Sequence, residues 1–72
     1  MKYFRIHSRN FNGTYCGDWI VIASDAVKAM AKFFRAYPEH TVCRVSVEPF
    51  DPDANEAAKG MYRAMKDCEC IF

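Results

Sequence analysis

The dipeptide Asn12-Gly13 constrains the fold of this sequence more than any other feature. It lies between two segments in which apolar and polar residues alternate, residues 2–10 and residues 14–24. Such alternation is typical of half-buried strands. Asn-Gly is the strongest short signal for a two-residue hairpin loop, because both central residues of a type I′ turn need a positive φ. The sequence therefore predicts that an antiparallel pair of strands begins the fold.

A two-residue loop at this position fixes the pairing of the two strands. The predicted cross-strand pairs are Phe11–Thr14, Arg9–Cys16, His7–Asp18 and Ile6–Trp19. Asp18 is thereby placed to orient the His7 imidazole, and Cys16 becomes its diagonal neighbour, about 7–8 Å away between backbones. A glycine inside a strand, here Gly17, also indicates a β-bulge that would shift this register.

The first helix is predicted from apolar residues at helical spacing. Ser24 or Asp25 caps its start, and Pro38 ends it after Tyr37. The predicted core stripe consists of Val27, Met30, Ala31, Phe34 and Tyr37. The predicted solvated face carries three basic residues, Lys28, Lys32 and Arg35.

A third strand and a second helix complete the prediction. The strand covers residues 41–47, has Cys43 on its core side and ends at Pro49. Asp51 is expected to cap the second helix, with Pro52 at its first position. The fold class is therefore α+β: one ββαβα domain over residues 1–72, with a three-stranded sheet that starts with an antiparallel hairpin and two helices packed on it. The third strand can lie parallel to the second or antiparallel to the first.

Two cysteines one residue apart, Cys68 and Cys70, are expected to be held in place, because the end of a chain otherwise frays. Structural zinc ions take tetrahedral sets of Cys and His. His7 and Cys16 would complete a Cys₃His site that stabilises a domain too small to rely on its core alone. Two alternatives stay open. Either Cys68 packs in the core and Cys70 is a free thiol, or a disulfide forms through Cys16.

Composition and charge narrow the possible functions. A hydrophobic content of 51% suits a packed core, while a net charge of +1 provides no strong attraction to nucleic acid or an anionic membrane. No signal peptide and no membrane-spanning segment is visible, so the expected location is the cytoplasm. No phosphate loop, nucleophile elbow or paired-carboxylate pattern indicates an enzyme. The expected partner is a protein, and the predicted contact residues are Tyr3, Arg5, Lys28, Lys32, Arg35 and Arg44.

Four features of the chain together suggest a family. They are the start Met1-Lys2-Tyr3-Phe4-Arg5-Ile6, the Asn12-Gly13 hairpin, the short helix Asp25–Tyr37 and a C-terminal helix ending in Asp67-Cys68-Glu69-Cys70. This layout resembles the small proteins of phages and mobile elements, and it looks most like the metal-containing anti-CRISPR inhibitors of type II effector nucleases.

The resemblance implies a non-enzymatic inhibitor in the cytoplasm of a bacterial host cell. It would bind an RNA-guided nuclease and block target-DNA loading or activation, and it is expected to act as a monomer without contacting nucleic acid or membrane. The alternative is a small nucleic-acid-binding or regulatory domain that uses the face formed by Lys28, Lys32 and Arg35.

Overall fold

A computed structural model describes residues 2–65 and, for the backbone alone, residues 70–71. The four strands are β1 (Lys2–Arg9), β2 (Tyr15–Ala23), β3 (Arg44–Phe50) and β4 (Cys70–Ile71). Helix α1 covers Ala26–Ala36, helix α2 covers Glu56–Met65, and Pro38–Val42 forms a short 3₁₀ helix between α1 and β3. The predicted ββαβα order is confirmed, and the two-residue strand β4 extends it.

The sheet has the strand order β3-β1-β2-β4. Strand β1 is antiparallel to both of its neighbours, and β4 is parallel to β2. Because β1 separates β2 from β3, these two strands run parallel without touching. The connection through α1 therefore crosses over the sheet, and the third strand also lies antiparallel to the first. Both orientations considered from the sequence are therefore present: the third strand runs parallel to the second and pairs antiparallel with the first.

The core lies on the face of the sheet that packs against α1, here called the first face. Phe4 and Ile6 of β1 alternate with polar residues and point to this side, and Trp19 and Val21 of β2 join them. The fully buried Phe33 provides the main contact from α1, with its ring centroid 4.8 Å from that of Trp19. The period of two in the strands thus produces one continuous apolar surface for the helix.

Helix α2 lies on the opposite side, here called the second face. Tyr3 alternates with Phe4 and therefore points to this face, where its ring meets that of Tyr62 edge-on at 5.5 Å. Ile20 of β2 is fully buried on the same side, and Met65 of α2 is buried as well. The two helices consequently cover different faces of the sheet.

The buried stripe of α1 differs from the predicted one. Val27 is 79% exposed and Ala31 is exposed, whereas Ala29 and Phe33 are fully buried. The prediction was wrong in phase by about one residue, although Met30, Phe34 and Tyr37 do pack against the core. The predicted cap is confirmed, because the Asp25 carboxylate accepts a hydrogen bond of 2.8 Å from the Lys28 amide.

The hairpin turn is longer by one residue than predicted. The Gly13 amide donates to the Asn10 carbonyl at 3.0 Å, and the Asn10 amide donates to the Thr14 carbonyl at 3.0 Å. The loop therefore contains Phe11, Asn12 and Gly13, with a positive φ at Gly13 alone. This is a three-residue loop with a left-handed glycine, a common alternative to the type I′ turn.

A bulge in β2 compensates for the longer loop. Arg9 pairs with Tyr15, but Ser8 pairs with Gly17, so Cys16 has no partner in β1. The predicted pairs Arg9–Cys16 and Phe11–Thr14 are wrong for this reason. The pairs His7–Asp18 and Ile6–Trp19 are confirmed, because the extra bulge residue restores the register.

Alanine substitutions at two glycines, Gly17 and Gly60, are expected to change the stability of the protein in opposite directions. A Cβ at Gly17 would lie 2.9 Å from the Trp19 ring at a φ of +155°, so Gly17→Ala is expected to destabilise the protein by about 1–3 kcal/mol. A Cβ at Gly60, inside α2, would meet nothing within 4 Å. Gly60→Ala should therefore stabilise by about 0.5–1 kcal/mol. Urea unfolding of both variants measures these changes. If both variants changed the free energy of unfolding in the same direction, the described bulge or helix would be contradicted.

The region after α1 also departs from the prediction. Thr41 and Val42, predicted as the start of the third strand, belong to the 3₁₀ helix, and β3 continues through Pro49 instead of ending there. Proline is tolerated at this position because β3 is an edge strand. The Asn55 side chain, and not Asp51, caps α2 by accepting the Ala58 amide at 2.8 Å. Cys43, predicted to be a core residue, is half-buried.

Candidate functional site

Across β3, β1 and β2, the second face of the sheet presents four rows of three side chains, one from each strand. In this strand order the rows are Phe50–Tyr3–Ile22, Glu48–Arg5–Ile20, Ser46–His7–Asp18 and Arg44–Arg9–Tyr15. The face changes character along the strands, from apolar, through charged, to basic and aromatic. Helix α2 packs at the apolar end through Tyr62. The polar and charged side chains of this face therefore lie in the other three rows.

The middle rows contain a charged cluster formed by Arg5, His7, Asp18 and Glu48. Arg5 Nη2 lies 3.0 Å from Asp18 Oδ2, and Arg5 Nη1 lies 3.8 Å from Glu48 Oε1. The His7 ring contacts Asp18 through Nδ1 and lies 3.3 Å from Glu48 Oε1 through Nε2. Arg5 and His7 each lie between the Asp18 and Glu48 carboxylates, and these contacts connect three neighbouring strands.

Asp18 is the most perturbed group of this cluster. Burial by itself raises the pKa of a carboxyl, but hydrogen bonds from Tyr15 and Arg5 and the charges of Arg5 and His7 act in the other direction. The net result is a pKa of Asp18 below its ordinary value. Asp18 is therefore ionised at neutral pH and serves as an ion-pair acceptor for the cluster.

The last row and the adjacent turn form what we call the hairpin-end surface, defined by Arg9, Arg44, Tyr15 and Phe11. Phe11 is 71% exposed and Tyr15 is 55% exposed. Both arginines are exposed, and within residues 2–65 neither forms an ion pair. Sequence reasoning missed the two aromatic residues. The available signal was an aromatic residue in the turn itself, where no core side chain is expected.

The predicted contact residues do not form one surface. Three of them have partners within the protein: Tyr3 packs on Tyr62, Arg5 belongs to the charged cluster, and Lys32 donates to the Ile22 carbonyl at 2.7 Å. The other three, Lys28, Arg35 and Arg44, are exposed. Lys28 and Arg35 belong to α1 on the first face, whereas Arg44 lies on the second face. The exposed basic residues are therefore divided between opposite sides of the sheet.

The predicted zinc ligands are only partly described. Cys68 lies outside the described residues, and Cys70 is described by its backbone in β4, where it pairs with Ile20. Cys16 precedes Ile20 by four residues of β2, about 13 Å at about 3.3 Å per residue. Two sulfur ligands of one zinc ion lie within about 5 Å of each other. The four-ligand site stays a prediction, and elemental analysis of the wild type beside Cys68→Ser/Cys70→Ser tests it directly.

The side chains of the other two predicted ligands, His7 and Cys16, contact protein groups and not each other. Both ring nitrogens of His7 face carboxylates, with Nδ1 against Asp18 and Nε2 at 3.3 Å from Glu48 Oε1. Cys16 is an exposed thiol in the bulge, and its Sγ donates to the Thr14 carbonyl at 3.6 Å. Over the described part of the chain, no three His, Cys, Asp or Glu side chains come together as a metal group.

His40, in the 3₁₀ helix, is half-buried against the core. Its ring lies 5.0 Å from the Trp19 ring and 5.4 Å from the Phe33 ring, measured between centroids. Its Nδ1 forms a hydrogen bond of 2.7 Å with Oγ of the fully buried Ser8. The interaction satisfies a buried hydroxyl, so His40 has a structural role.

A cavity of about 520 Å³ lies at the apolar end of the sheet. Its walls include Phe4, Ala26, Pro49, Phe50 and Pro52, and Asp25, Asp51 and Asp53 also line it. Asp25 already caps α1, and Asp51 accepts the Asp53 amide at 2.9 Å. These two carboxylates therefore have local structural roles at the start of a helix and in a turn.

Comparisons with known proteins provide no family for this chain: no protein-family model, no curated protein and no solved structure matches it. Among the helices of the described residues, none combines the length and the apolar character needed to cross a membrane.

Proposed function

We propose that this protein is a non-enzymatic inhibitor that binds a partner protein through its hairpin-end surface. The observation behind the proposal is the exposure of two aromatic and two arginine side chains together at one end of the sheet. Tyr and Arg are enriched among the residues that contribute most to binding energy in protein interfaces. Exposed apolar groups bordered by polar ones are also typical of interaction sites.

The backbone of the hairpin-end surface and its Tyr15 side chain are held in place before any partner binds. Arg9 pairs with Tyr15 on one side and with Arg44 on the other, so three strands position the row. The Tyr15 side chain also forms a hydrogen bond with Asp18 of the charged cluster. Because this hydrogen bond already restricts the Tyr15 side chain, ordering it costs less on binding, which favours affinity.

The proposed partner is an RNA-guided effector nuclease of a type II CRISPR system, located in the bacterial cytoplasm. Inhibition would follow from blocking target-DNA loading or activation. The net charge of +1 favours contact with a protein surface over imitation of the DNA backbone. The alternative, a nucleic-acid-binding domain, depends on the α1 face of Lys28, Lys32 and Arg35. Lys32 on that face donates to the Ile22 carbonyl at 2.7 Å, so the face presents two exposed cations instead of three, which weakens the alternative.

The test is a titration of target-DNA cleavage by a purified type II effector loaded with guide RNA. We expect inhibition to be complete at about one inhibitor per effector, as a binding mechanism requires, and a complex to be visible by size-exclusion chromatography. Phe11→Ser/Tyr15→Ser should weaken inhibition at least about tenfold, because truncating an aromatic hot-spot residue of an interface costs about 2 kcal/mol or more. Val27→Ser, which changes an exposed apolar residue on α1, is the matched control and should inhibit normally.

Two results would contradict the proposal. One is unchanged cleavage at a large excess of the protein. The other is inhibition well below one inhibitor per effector, which would indicate that the protein acts on the nuclease as an enzyme.

A further inference from the structure

We infer that the partner contributes an acidic protein segment to the hairpin-end surface, with an Asp or Glu carboxylate bound between Arg9 and Arg44 and an apolar side chain against Phe11. This inference rests on the proposed function, since it names the chemistry of the segment that the same surface binds. It also names the two residues responsible.

The two arginines are direct cross-strand partners on β1 and β3. Side chains in such pairs begin about 5 Å apart, and like charges directly opposite each other are destabilising. Within residues 2–65 no carboxylate forms an ion pair with either guanidinium. A carboxylate placed between them would relieve the repulsion and accept paired hydrogen bonds from the forked guanidinium groups.

Arg5 provides the internal comparison. It occupies the same face of β1 and has Asp18 at 3.0 Å and Glu48 at 3.8 Å. The fold thus supplies two carboxylates to the arginine in the middle of this face, whereas Arg9 and Arg44, at its exposed end, have no carboxylate partner within residues 2–65 and can bind an external anion.

An acidic protein segment fits this surface better than a nucleic acid. A nucleic-acid strand has about one phosphate for every 3.4 Å of helix axis. Adjacent rows of the sheet are about 7 Å apart, so a phosphate chain running along β1 from Arg9 would soon meet Asp18 and Glu48. The exposed Lys28 and Arg35 lie across the sheet on α1 and do not extend the site.

The experiment measures fluorescence anisotropy with three labelled probes: a short peptide of alternating Glu and Leu, the same peptide with Gln in place of Glu, and single-stranded DNA. The test variant is Arg9→Gln/Arg44→Gln. The control, Lys28→Gln/Arg35→Gln, removes the same charge from α1. We expect the wild type and the control to bind the Glu peptide most tightly. The test variant should bind it at least about tenfold more weakly, as expected for lost hydrogen bonds between charged groups.

Misfolding is not expected to obscure this result. Removing two opposed positive charges should leave the thermal midpoint of Arg9→Gln/Arg44→Gln equal to or above that of the wild type, which circular dichroism can check. Equal affinity of the wild type and the test variant for the Glu peptide would overturn the inference. Tighter binding of single-stranded DNA, lost in the same variant, would also overturn it and would identify a phosphate site.

The peptide-binding experiment can fail independently of the nuclease-inhibition experiment. If Phe11→Ser/Tyr15→Ser abolishes nuclease inhibition while Arg9→Gln/Arg44→Gln inhibits and binds the Glu peptide normally, the acidic segment is wrong and the inhibitor stands. If the Glu peptide binds through the arginines but the nuclease is not inhibited, the carboxylate site stands and the nuclease is the wrong partner.

Discussion

Replacing Phe33 with alanine is expected to destabilise the protein by about 3–5 kcal/mol, the usual cost of removing a large aromatic ring from a core. Phe33 is fully buried, and its ring lies 4.8 Å from the Trp19 ring and 5.7 Å from the Tyr37 ring between centroids. The free energy of unfolding of small domains is commonly near the lower end of about 5–15 kcal/mol. Phe33→Ala should therefore unfold at much lower urea concentration, or already be largely unfolded without denaturant.

The matched control is Val27→Ala on the same helix. Val27 is 79% exposed, so its truncation should change the free energy of unfolding by less than about 0.5 kcal/mol. Equilibrium urea unfolding followed by circular dichroism measures both variants. A large loss in Val27→Ala together with a small loss in Phe33→Ala would mean that α1 buries the stripe predicted from the sequence instead of the one described.

The same helix shows why a helical face is harder to predict than a strand face. Apolar residues follow one another at Ala29-Met30-Ala31 and at Phe33-Phe34, so two stripes about one residue apart both satisfy helical spacing. The choice between them depends on the Trp19 ring, which packs against Phe33. Strand faces alternate with a period of two, and the alternation around Phe4 and Ile6 left no such ambiguity.

The hairpin register was predictable only because two deviations cancel. The loop has one more residue than the Asn12-Gly13 signal indicates, and Cys16 is an extra residue in the opposite strand. Beyond the bulge the pairing is again that of a two-residue loop, so His7 does lie opposite Asp18. Between the loop and the bulge, however, the pairing is shifted by one residue, so Tyr15 and not Cys16 is the partner of Arg9. The composition of the hairpin-end surface was missed for that reason.

The contribution of β3 to the site lay beyond local sequence reasoning. Glu48 and Arg44 reach the second face because β3 pairs with β1 at one register, although residues 10–43 separate the two strands in sequence. Nothing in the local pattern of β3 specifies that register. The sequence could place Arg5, His7 and Asp18 on one face of the hairpin, but not the carboxylate and the arginine that complete the charged cluster and the hairpin-end surface.

Replacing Asp18 with asparagine is expected to destabilise the protein at neutral pH by about 1–3 kcal/mol. The value lies below the 3–5 kcal/mol of fully buried pairs because Arg5 is 31% exposed and keeps Glu48 as a partner. The lowered pKa of Asp18 also predicts a pH dependence. A carboxyl that binds its proton less readily in the folded protein stabilises fully above the ordinary pKa of about 4. This contribution is lost as the pH falls from about 4 through the lower pKa of the folded state.

The free energy of unfolding should therefore drop more steeply on acidification in the wild type than in Asp18→Asn, and the difference between the two should shrink below about pH 4. Urea unfolding at a series of pH values measures it. Asp53→Asn, at an exposed position without an ion pair within residues 2–65, is the matched control and should follow the wild-type curve. Parallel curves for the wild type and Asp18→Asn would mean that Arg5, His7 and Tyr15 do not stabilise the ionised Asp18 carboxylate. The charged cluster would then not fix the row of side chains next to it.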